Sequence, residues 1–140
     1  MHTVTLGSTN ITVNKNAFGA LPIQRVDMQE ASVILRRAYE GGINFFDTAR
    51  GYSDSEEKLG YALSDVRDQI IIATKTPSRT ADGFWNDLNT SLRLLRTDHV
   101  DILQFHNPDF VPRPGDGTGL YEAMLEAREK GHIRFIGFTN

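Results

Sequence analysis

Apolar residues are arranged along the chain as short continuous runs that alternate with stretches of helical spacing. The runs at 43–47, 70–75, 100–106 and 133–138 predict buried β-strands. Between them, apolar residues recur at intervals of three and four, as on one face of a helix. The helical faces consist of Ala31, Ile34, Leu35 and Ala38; Leu59, Ala62, Leu63 and Val66; Trp85, Leu88, Leu92 and Leu95; and Leu120, Ala123, Met124 and Ala127. The pattern predicts an α/β protein.

Two of the predicted helices begin with a possible capping box. Asp27 is followed three positions later by Glu30, and Ser53 is followed in the same way by Glu56. In this motif the first side chain accepts from a backbone N–H, and the acidic residue lies in the first turn. The motif predicts helix starts at both places, and it predicts residues 56–58 as a solvated first turn.

The N-terminal segment differs from the rest of the chain. Residues 3–6 and 11–13 alternate β-forming side chains around the turn residues Gly7 to Asn10. This arrangement is typical of a short hairpin. The sequence therefore predicts a hairpin in residues 1–16 and β/α units in residues 17–140.

The regular alternation of strands and helices indicates parallel βαβ units with right-handed crossovers. Asp47, Lys75, His106 and Asn140 end successive strands at nearly equal intervals. A whole (β/α)₈ barrel takes about 250 residues, or about 31 for each unit, which is close to this interval. We predict a partial (β/α)₈ TIM barrel with a hairpin, about four β/α units and a fifth parallel strand.

An open doubly wound sheet is the alternative architecture. It usually carries a glycine-rich phosphate-binding turn after its first strand. The corresponding segment here, residues 19–23, reads Gly-Ala-Leu-Pro-Ile and does not match such a turn. The barrel is therefore favoured.

Composition narrows the possible functions. The net charge is −3, and lysine and arginine are interleaved with acidic residues, so no basic stripe for nucleic acid is present. No apolar run is long enough to span a membrane, and the segment Met1–Thr5 does not resemble the start of a secretory leader, so we expect a cytoplasmic protein. The chain has no cysteine, which excludes thiolate zinc sites and iron–sulfur clusters within it. No histidine pair has metal-ligand spacing, and no metal is expected.

Four polar residues follow the ends of the predicted strands and suggest acid–base chemistry. Asp47, Tyr52, Lys75 and His106 would all reach the barrel mouth, where βα loops build active sites. Tyrosine is a weak acid, but a nearby ammonium stabilises its phenolate and helps it to give up a proton. Lys75 would supply that ammonium and Asp47 would orient it. His106 would hydrogen-bond a substrate carbonyl.

Each of these residues also has an ordinary structural interpretation. Asp47 alone is more often a turn or cap residue than a catalyst. Lys75 could be a solvated strand terminus, and His106 could be a loop histidine with its hydrogen bonds satisfied. Asp98 and Asp101 flank the start of a strand, at the end opposite the chemistry, and are interpreted as structural. Phe110 and Val111 could line a substrate pocket or simply pack within their loop.

The segments around these four residues resemble the aldo-keto reductase family. The stretch 42–52, Gly-Ile-Asn-Phe-Phe-Asp-Thr-Ala-Arg-Gly-Tyr, and its continuation 55–60 are similar to the family signature. Residues 73–75 and 104–107 resemble its lysine and histidine segments, and 136–140 its fifth strand. The likeness covers the whole chain, and some segments are particularly similar to prokaryotic members that often carry a C-terminal ferredoxin-like domain.

The resemblance implies reduction of aldehydes and ketones to alcohols with NADP(H) or NADH. Hydride passes from the reduced nicotinamide to the carbonyl carbon, and Tyr52 gives its proton to the oxygen. The catalytic residues implied are Asp47, Tyr52, Lys75 and His106. Asp47, Thr139 and Asn140 are the implied cofactor-binding residues, the last two on the nicotinamide carboxamide. A small carbonyl compound is the implied substrate.

The predicted fold is about half of a barrel, and this leaves an alternative function open. The first and fifth strands would have unpaired edges, and apolar residues such as Phe46, Ile72, Leu103 and Ile136 would be exposed on one side or the other. The alternative is a truncated, catalytically inactive half-barrel that self-associates through its open sheet edges or needs a complementary chain.

Overall fold

The computed structural model describes residues 2–140, so Met1, part of the segment compared with a secretory leader, lies outside the described residues. The strands are β1 (Thr3–Thr5), β2 (Thr12–Asn14), β3 (Phe18–Gly19), β4 (Phe45–Asp47), β5 (Ile71–Thr76), β6 (Val100–Phe105) and β7 (Ile133–Phe138). The α-helices are α1 (Met28–Glu40), α2 (Ser55–Leu63), α3 (Ala81–Leu95) and α4 (Leu120–Glu129). Short 3₁₀ helices cover Pro22–Arg25 and Ser64–Gln69.

The main sheet has five parallel strands in the order β3-β4-β5-β6-β7, and β1 and β2 form a separate antiparallel hairpin. Each strand pairs with the next one in the chain, as Asp47 with Ala73 and Lys75 with Gln104. A doubly wound sheet would reverse its strand order part of the way along. The consecutive order is that of a barrel wall, and it confirms the predicted partial barrel.

Helix starts follow local capping chemistry in two cases. The Asp27 carboxylate accepts from the backbone N–H of Glu30 at 2.9 Å and begins α1 as predicted. The Thr80 hydroxyl accepts from the N–H of Gly83 at 3.1 Å and begins α3. Both contacts satisfy an N–H that has no partner within its helix.

The predicted cap of α2 is wrong. The helix begins at Ser55 and its N-cap position, Asp54, makes no side-chain cap bond. Ser53 has a left-handed backbone with φ of 40°. The N-cap position falls on Asp54 rather than on Ser53, whose hydroxyl donates to the Gln24 side chain at 2.8 Å.

The expectation of a solvated first turn in α2 is also wrong for two of its three residues. Glu56 and Lys58 are buried, and only Glu57 is exposed. The Lys58 ammonium donates to the carbonyl oxygens of Ile23 and Val26 at 3.0 and 2.7 Å and forms an ion pair with Asp54. Partners from the segment before α1, together with Asp54, therefore replace water around this charge.

The hydrophobic core lies between the sheet and its helices. Phe46, Ile72 and Leu103 are buried there, so the expected exposure of these residues is wrong. They are covered because α1 to α4 complete the helical layer over β4 to β6. Ile136 of β7 is 38% exposed, as expected, and Phe138 is 60% exposed.

Asp101 forms a buried polar cluster at the start of β6. Its Oδ2 atom accepts from Arg67 and from the backbone N–H of Ile72, both at 2.9 Å, and its Oδ1 atom accepts from Arg134 at 2.8 Å. The cluster fastens β5, β6 and β7 at the amino ends of the strands. No helix within residues 2–140 is long and apolar enough to cross a membrane.

Candidate active site

Lys75 and Asp47 form an ion pair at the carboxyl ends of β5 and β4. The Lys75 ammonium donates to Asp47 Oδ2 at 2.7 Å and to the carbonyl oxygen of Thr48 at 2.8 Å. The Lys75 side chain is only 7% exposed, whereas that of Asp47 is 35% exposed. A charge removed from water in this way needs close partners, and these two acceptors hold the ammonium in one position.

Tyr52 and His106 complete a cluster around this ion pair. The Lys75 ammonium lies 5.0 Å from the centre of the Tyr52 ring. The Tyr52 and His106 rings meet edge to face, with centres 5.6 Å apart and planes at 82°. The structure thus brings together all four residues predicted from the strand ends, although they come from three strand ends and one loop.

His106 is placed by the sheet and its protonation is set by its neighbours. Its backbone N–H donates to the carbonyl oxygen of Thr76 at 2.9 Å, which extends the β5–β6 ladder by one residue. Partial burial and the nearby Lys75 ammonium lower the pKa of His106 below its usual 6.5, while the Asp47 carboxylate opposes the shift. The imidazole is therefore neutral at pH 7 and can donate a hydrogen bond from only one nitrogen.

The loop that carries Tyr52 is fixed at both ends. The N–H groups of Thr48 and Arg50 continue the parallel ladder to β5, the latter donating to the Lys75 carbonyl oxygen at 2.9 Å. The Thr48 and Ser55 hydroxyls are 2.8 Å apart, and Ser55 donates to the carbonyl oxygen of Ala20. The loop is therefore tied to β5 and to the end of β3, and Tyr52 lies between these attachments.

Glu56 is a site-adjacent residue that the sequence pattern did not reveal. Its Oε1 atom accepts from the hydroxyls of Thr74 and Ser91, each at 2.6 Å, and its Oε2 atom accepts from Arg50. These partners lie 18 and 35 residues along the chain and six residues before it. The local sequence gave a misleading capping signal, and no spacing rule links Glu56 with its partners.

Thr139 and Asn140 follow β7 at the same end of the sheet. The Thr139 N–H donates to the carbonyl oxygen of Phe105 at 2.9 Å, and its hydroxyl donates to Asn107 Oδ1 at 2.9 Å. The Asn140 side chain is exposed. A depression of about 250 Å³ beside them is lined by Phe110, Val111, Phe138 and both residues.

Phe110 also borders a small cavity beside His106, together with Arg79, whose guanidinium carbon is 5.9 Å from the Phe110 ring centre. Phe110 therefore lies next to the cluster. Within residues 2–140, no three histidine, cysteine, aspartate or glutamate side chains are grouped to hold a metal ion.

The sequence matches the model of the aldo/keto reductase family over residues 5–140. It is 33% identical over 150 aligned positions to L-galactose dehydrogenase of Arabidopsis thaliana, covering 96% of this chain and 47% of that protein. It is 36% identical over 122 positions to methylglyoxal reductase DkgB of Salmonella typhi, covering 81% of this chain and 43% of that protein.

The fold matches solved structures from the same group. The holo form of aldo-keto reductase AKR11C1 from Bacillus halodurans superposes with a TM-score of 0.88 at 31% identity, over 99% of this chain and 50% of that one. The chain spans about half the length, or less, of the relatives it matches. The match over nearly all of its residues, in both sequence and fold, shows that the chain belongs to the aldo-keto reductase family.

Proposed function

We propose that this chain forms the N-terminal portion of an NAD(P)H-dependent reductase that converts aldehydes or ketones to alcohols, with Tyr52 as proton donor. The observation that carries the proposal is the cluster of Tyr52, His106 and the Lys75–Asp47 ion pair at one end of the sheet. A methylglyoxal reductase among the relatives supports a small carbonyl substrate.

Each residue has a distinct role in the proposed reaction. The neutral His106 imidazole donates a hydrogen bond to the substrate carbonyl oxygen and orients it. Tyr52 then transfers its phenolic proton to that oxygen. The Lys75 ammonium, held by Asp47 and the Thr48 carbonyl, stabilises the phenolate that remains.

The residues at the end of β7 fit a nicotinamide carboxamide. A carboxamide needs both a donor and an acceptor, and the exposed Asn140 side chain offers both. Thr139 is engaged with Asn107 and keeps Asn140 at the rim, so these residues and Asp47 would hold the ring. A bound reduced nicotinamide would supply the hydride that the carbonyl carbon accepts.

The proposal is tested first by cofactor binding and then by a single hydroxyl deletion. NADPH titrated against the chain should change its fluorescence saturably at or below millimolar concentration. Tyr52→Phe should lower the turnover of a simple aldehyde by about a hundredfold or more, since general acid catalysis contributes about 10²–10⁴. Cofactor affinity should stay nearly unchanged because the hydroxyl acts on the substrate.

Tyr61→Phe is the matched control, because Tyr61 lies on the outer surface of α2, where its hydroxyl accepts a hydrogen bond from Gln29. It should leave turnover unchanged. Undetectable NADPH binding at millimolar concentration, or a Tyr52→Phe variant as active as the control, would contradict the proposal.

The second candidate function is a catalytically inactive half-barrel that self-associates or needs a complementary chain. The observation that favours it is the apolar outer face of β7, where Ile136 and Phe138 border a groove of about 430 Å³ with Tyr121 and Met124. Exposed apolar surface of this kind promotes association. Cofactor binding with turnover by a monomeric chain would exclude it.

A further inference from the structure

The Glu56 carboxylate is fully buried behind the proposed active site and joins four separate parts of the fold. It belongs to α2, it accepts from Arg50 in the Tyr52 loop, and it accepts from Thr74 of β5 and Ser91 of α3. Its exposed fraction is 0%. Both carboxylate oxygens are therefore used: Oε1 bonds β5 and α3, and Oε2 bonds the Tyr52 loop.

Two of these partners lie within two residues of the proposed catalytic residues in the chain. Arg50 lies two residues before Tyr52, and Thr74 immediately precedes Lys75. Side chains alternate across a strand, so Thr74 faces the helices while Lys75 faces the opposite side with Asp47. Glu56 thus bonds two side chains on the helix side of the sheet, and these two residues lie within two positions of Tyr52 and Lys75 in the chain.

Arg50 reaches across the loop that carries Tyr52. Arg50 also donates to the carbonyl oxygen of Ser53 at 3.4 Å, so its guanidinium spans the turn that contains Tyr52. Ser53 has a left-handed backbone, which is unfavourable for a residue with a side chain. A strained turn persists only where surrounding contacts hold it, and the Arg50–Glu56 pair supplies one from inside the protein.

A buried ion pair by itself adds little to the free energy of unfolding. Desolvation of the two charges offsets much of their attraction, and apolar residues of similar volume often do as well. In this pair the hydroxyls of Thr74 and Ser91 also donate to the carboxylate. The resulting network holds the side chains in defined positions. Such a contact is useful where sub-ångström placement matters, because a displacement of about 1 Å can cost a hundredfold in rate.

We propose that Glu56 is a positioning residue that sets the placement of Tyr52 relative to Lys75 and His106, acting through Arg50 and Thr74. The kinetic part of this inference rests on the proposed function. The geometric part rests only on contacts between side chains of this chain: the bonds of Glu56 to Arg50 and Thr74 and the edge-to-face rings of Tyr52 and His106.

The test uses two variants that cut the contact from opposite sides. Glu56→Gln keeps the shape of the side chain and removes its charge, and Arg50→Met keeps the length of the stem and removes the guanidinium. Asp101→Asn is the matched control, since Asp101 is an equally buried carboxylate that pairs with arginine at the opposite end of the strands. Ile133→Val, a conservative core change at that same end, is a second control that is expected to fold.

The first readout is the structure of the site without catalysis. The edge-to-face contact with Tyr52 displaces the NMR signals of the His106 ring, and Tyr52→Leu defines the size of that displacement. In folded Glu56→Gln and Arg50→Met, the displacement should fall by more than half, while both controls keep it. An unchanged displacement in both Glu56→Gln and Arg50→Met would overturn the inference, whether or not the chain is active.

The second readout is kinetic and applies if the wild-type chain reduces an aldehyde. Both variants should lower kcat by about tenfold to a hundredfold while KM changes less than threefold, because misplacement affects the proton transfer more than binding. The double variant should lose no more than the worse single variant, since both act through one contact. Equal losses in the controls would show a merely structural effect and refute the positioning role. An inactive wild type with the ring displacement behaving as expected would count against the proposed function and support the geometry.

Discussion

Gly60→Ala should destabilise the fold because Gly60 is where α2 and α3 cross most closely. A Cβ atom placed on Gly60 would lie 2.1 Å from the carbonyl oxygen of Leu94 and 2.9 Å from backbone atoms of Leu95. Those atoms belong to the backbone of α3 and cannot rotate away. The two helices would have to separate by roughly 1.3 Å to reach an ordinary contact of 3.4 Å.

The size of the effect follows from two opposing contributions. Overpacking of this kind costs about 1–3 kcal/mol, and the clash with fixed backbone places Gly60→Ala near the upper end. Alanine regains about 1 kcal/mol from its higher helix propensity. We expect the free energy of unfolding to fall by about 2 kcal/mol, which lowers the urea midpoint by about 1 M at an m-value of about 2 kcal/mol/M.

Urea unfolding followed by circular dichroism measures this change. Glu57→Ala is the control, because Glu57 is the exposed residue of the first turn of the same helix and its replacement should alter stability by less than about 0.5 kcal/mol. A Gly60→Ala variant with a midpoint equal to or above that of the wild type would refute the reasoning. It would mean that the two helices have room to accommodate a methyl group.

Three other measurements test the charges and surfaces of the structure. NMR titration should give His106 a pKa below 6.5 that rises in Lys75→Met, which removes a repelling ammonium, and falls further in Asp47→Asn; opposite shifts would refute the assigned causes. Because the pKa of His106 is lower in the folded state than in the unfolded state, the neutral ring contributes its full stability above about pH 6.5. That contribution should be lost as the pH falls through the folded-state pKa, and His106→Gln should reduce this pH dependence. Asp101→Asn should lower the free energy of unfolding by about 3 kcal/mol in urea because it leaves buried arginine charge unpaired, and a loss below about 1 kcal/mol would show that the cluster is not essential. Sedimentation at micromolar concentration should show self-association that Phe138→Glu weakens, whereas a wild-type monomer would exclude association through this face.

The candidate site could be predicted from sequence because its members occupy equivalent positions in repeated units. Asp47, Lys75 and His106 each follow an apolar strand, and parallel strands bring their carboxyl ends to one edge. The structure adds the contacts themselves: the 2.7 Å ion pair of Lys75 with Asp47 and the edge-to-face rings of Tyr52 and His106. No periodicity specifies such distances, because they depend on strand register and loop shape.

Glu56 shows where sequence reasoning fails. Its position after Ser53 fits a capping box, yet Ser53 bonds Gln24 and Glu56 is buried against Thr74 and Ser91. A capping motif depends only on backbone geometry within one turn. The burial and partners of the Glu56 carboxylate depend instead on residues 18 and 35 positions away in the chain. Lys58 is misjudged for the same reason.

The amino-acid sequence by itself determined the order of strands and helices, the parallel topology, and which residues meet at the carboxyl edge. It did so because hydrophobic periodicity specifies which face of each element is buried, and right-handed crossovers leave few ways to arrange such elements. Only the tertiary structure decided which charges are buried and with what partners, since pairing across elements depends on register and helix packing. The sequence therefore predicted the barrel wall and the polar residues at the ends of its strands. The tertiary structure revealed the contacts of Glu56 on the helix side of those residues.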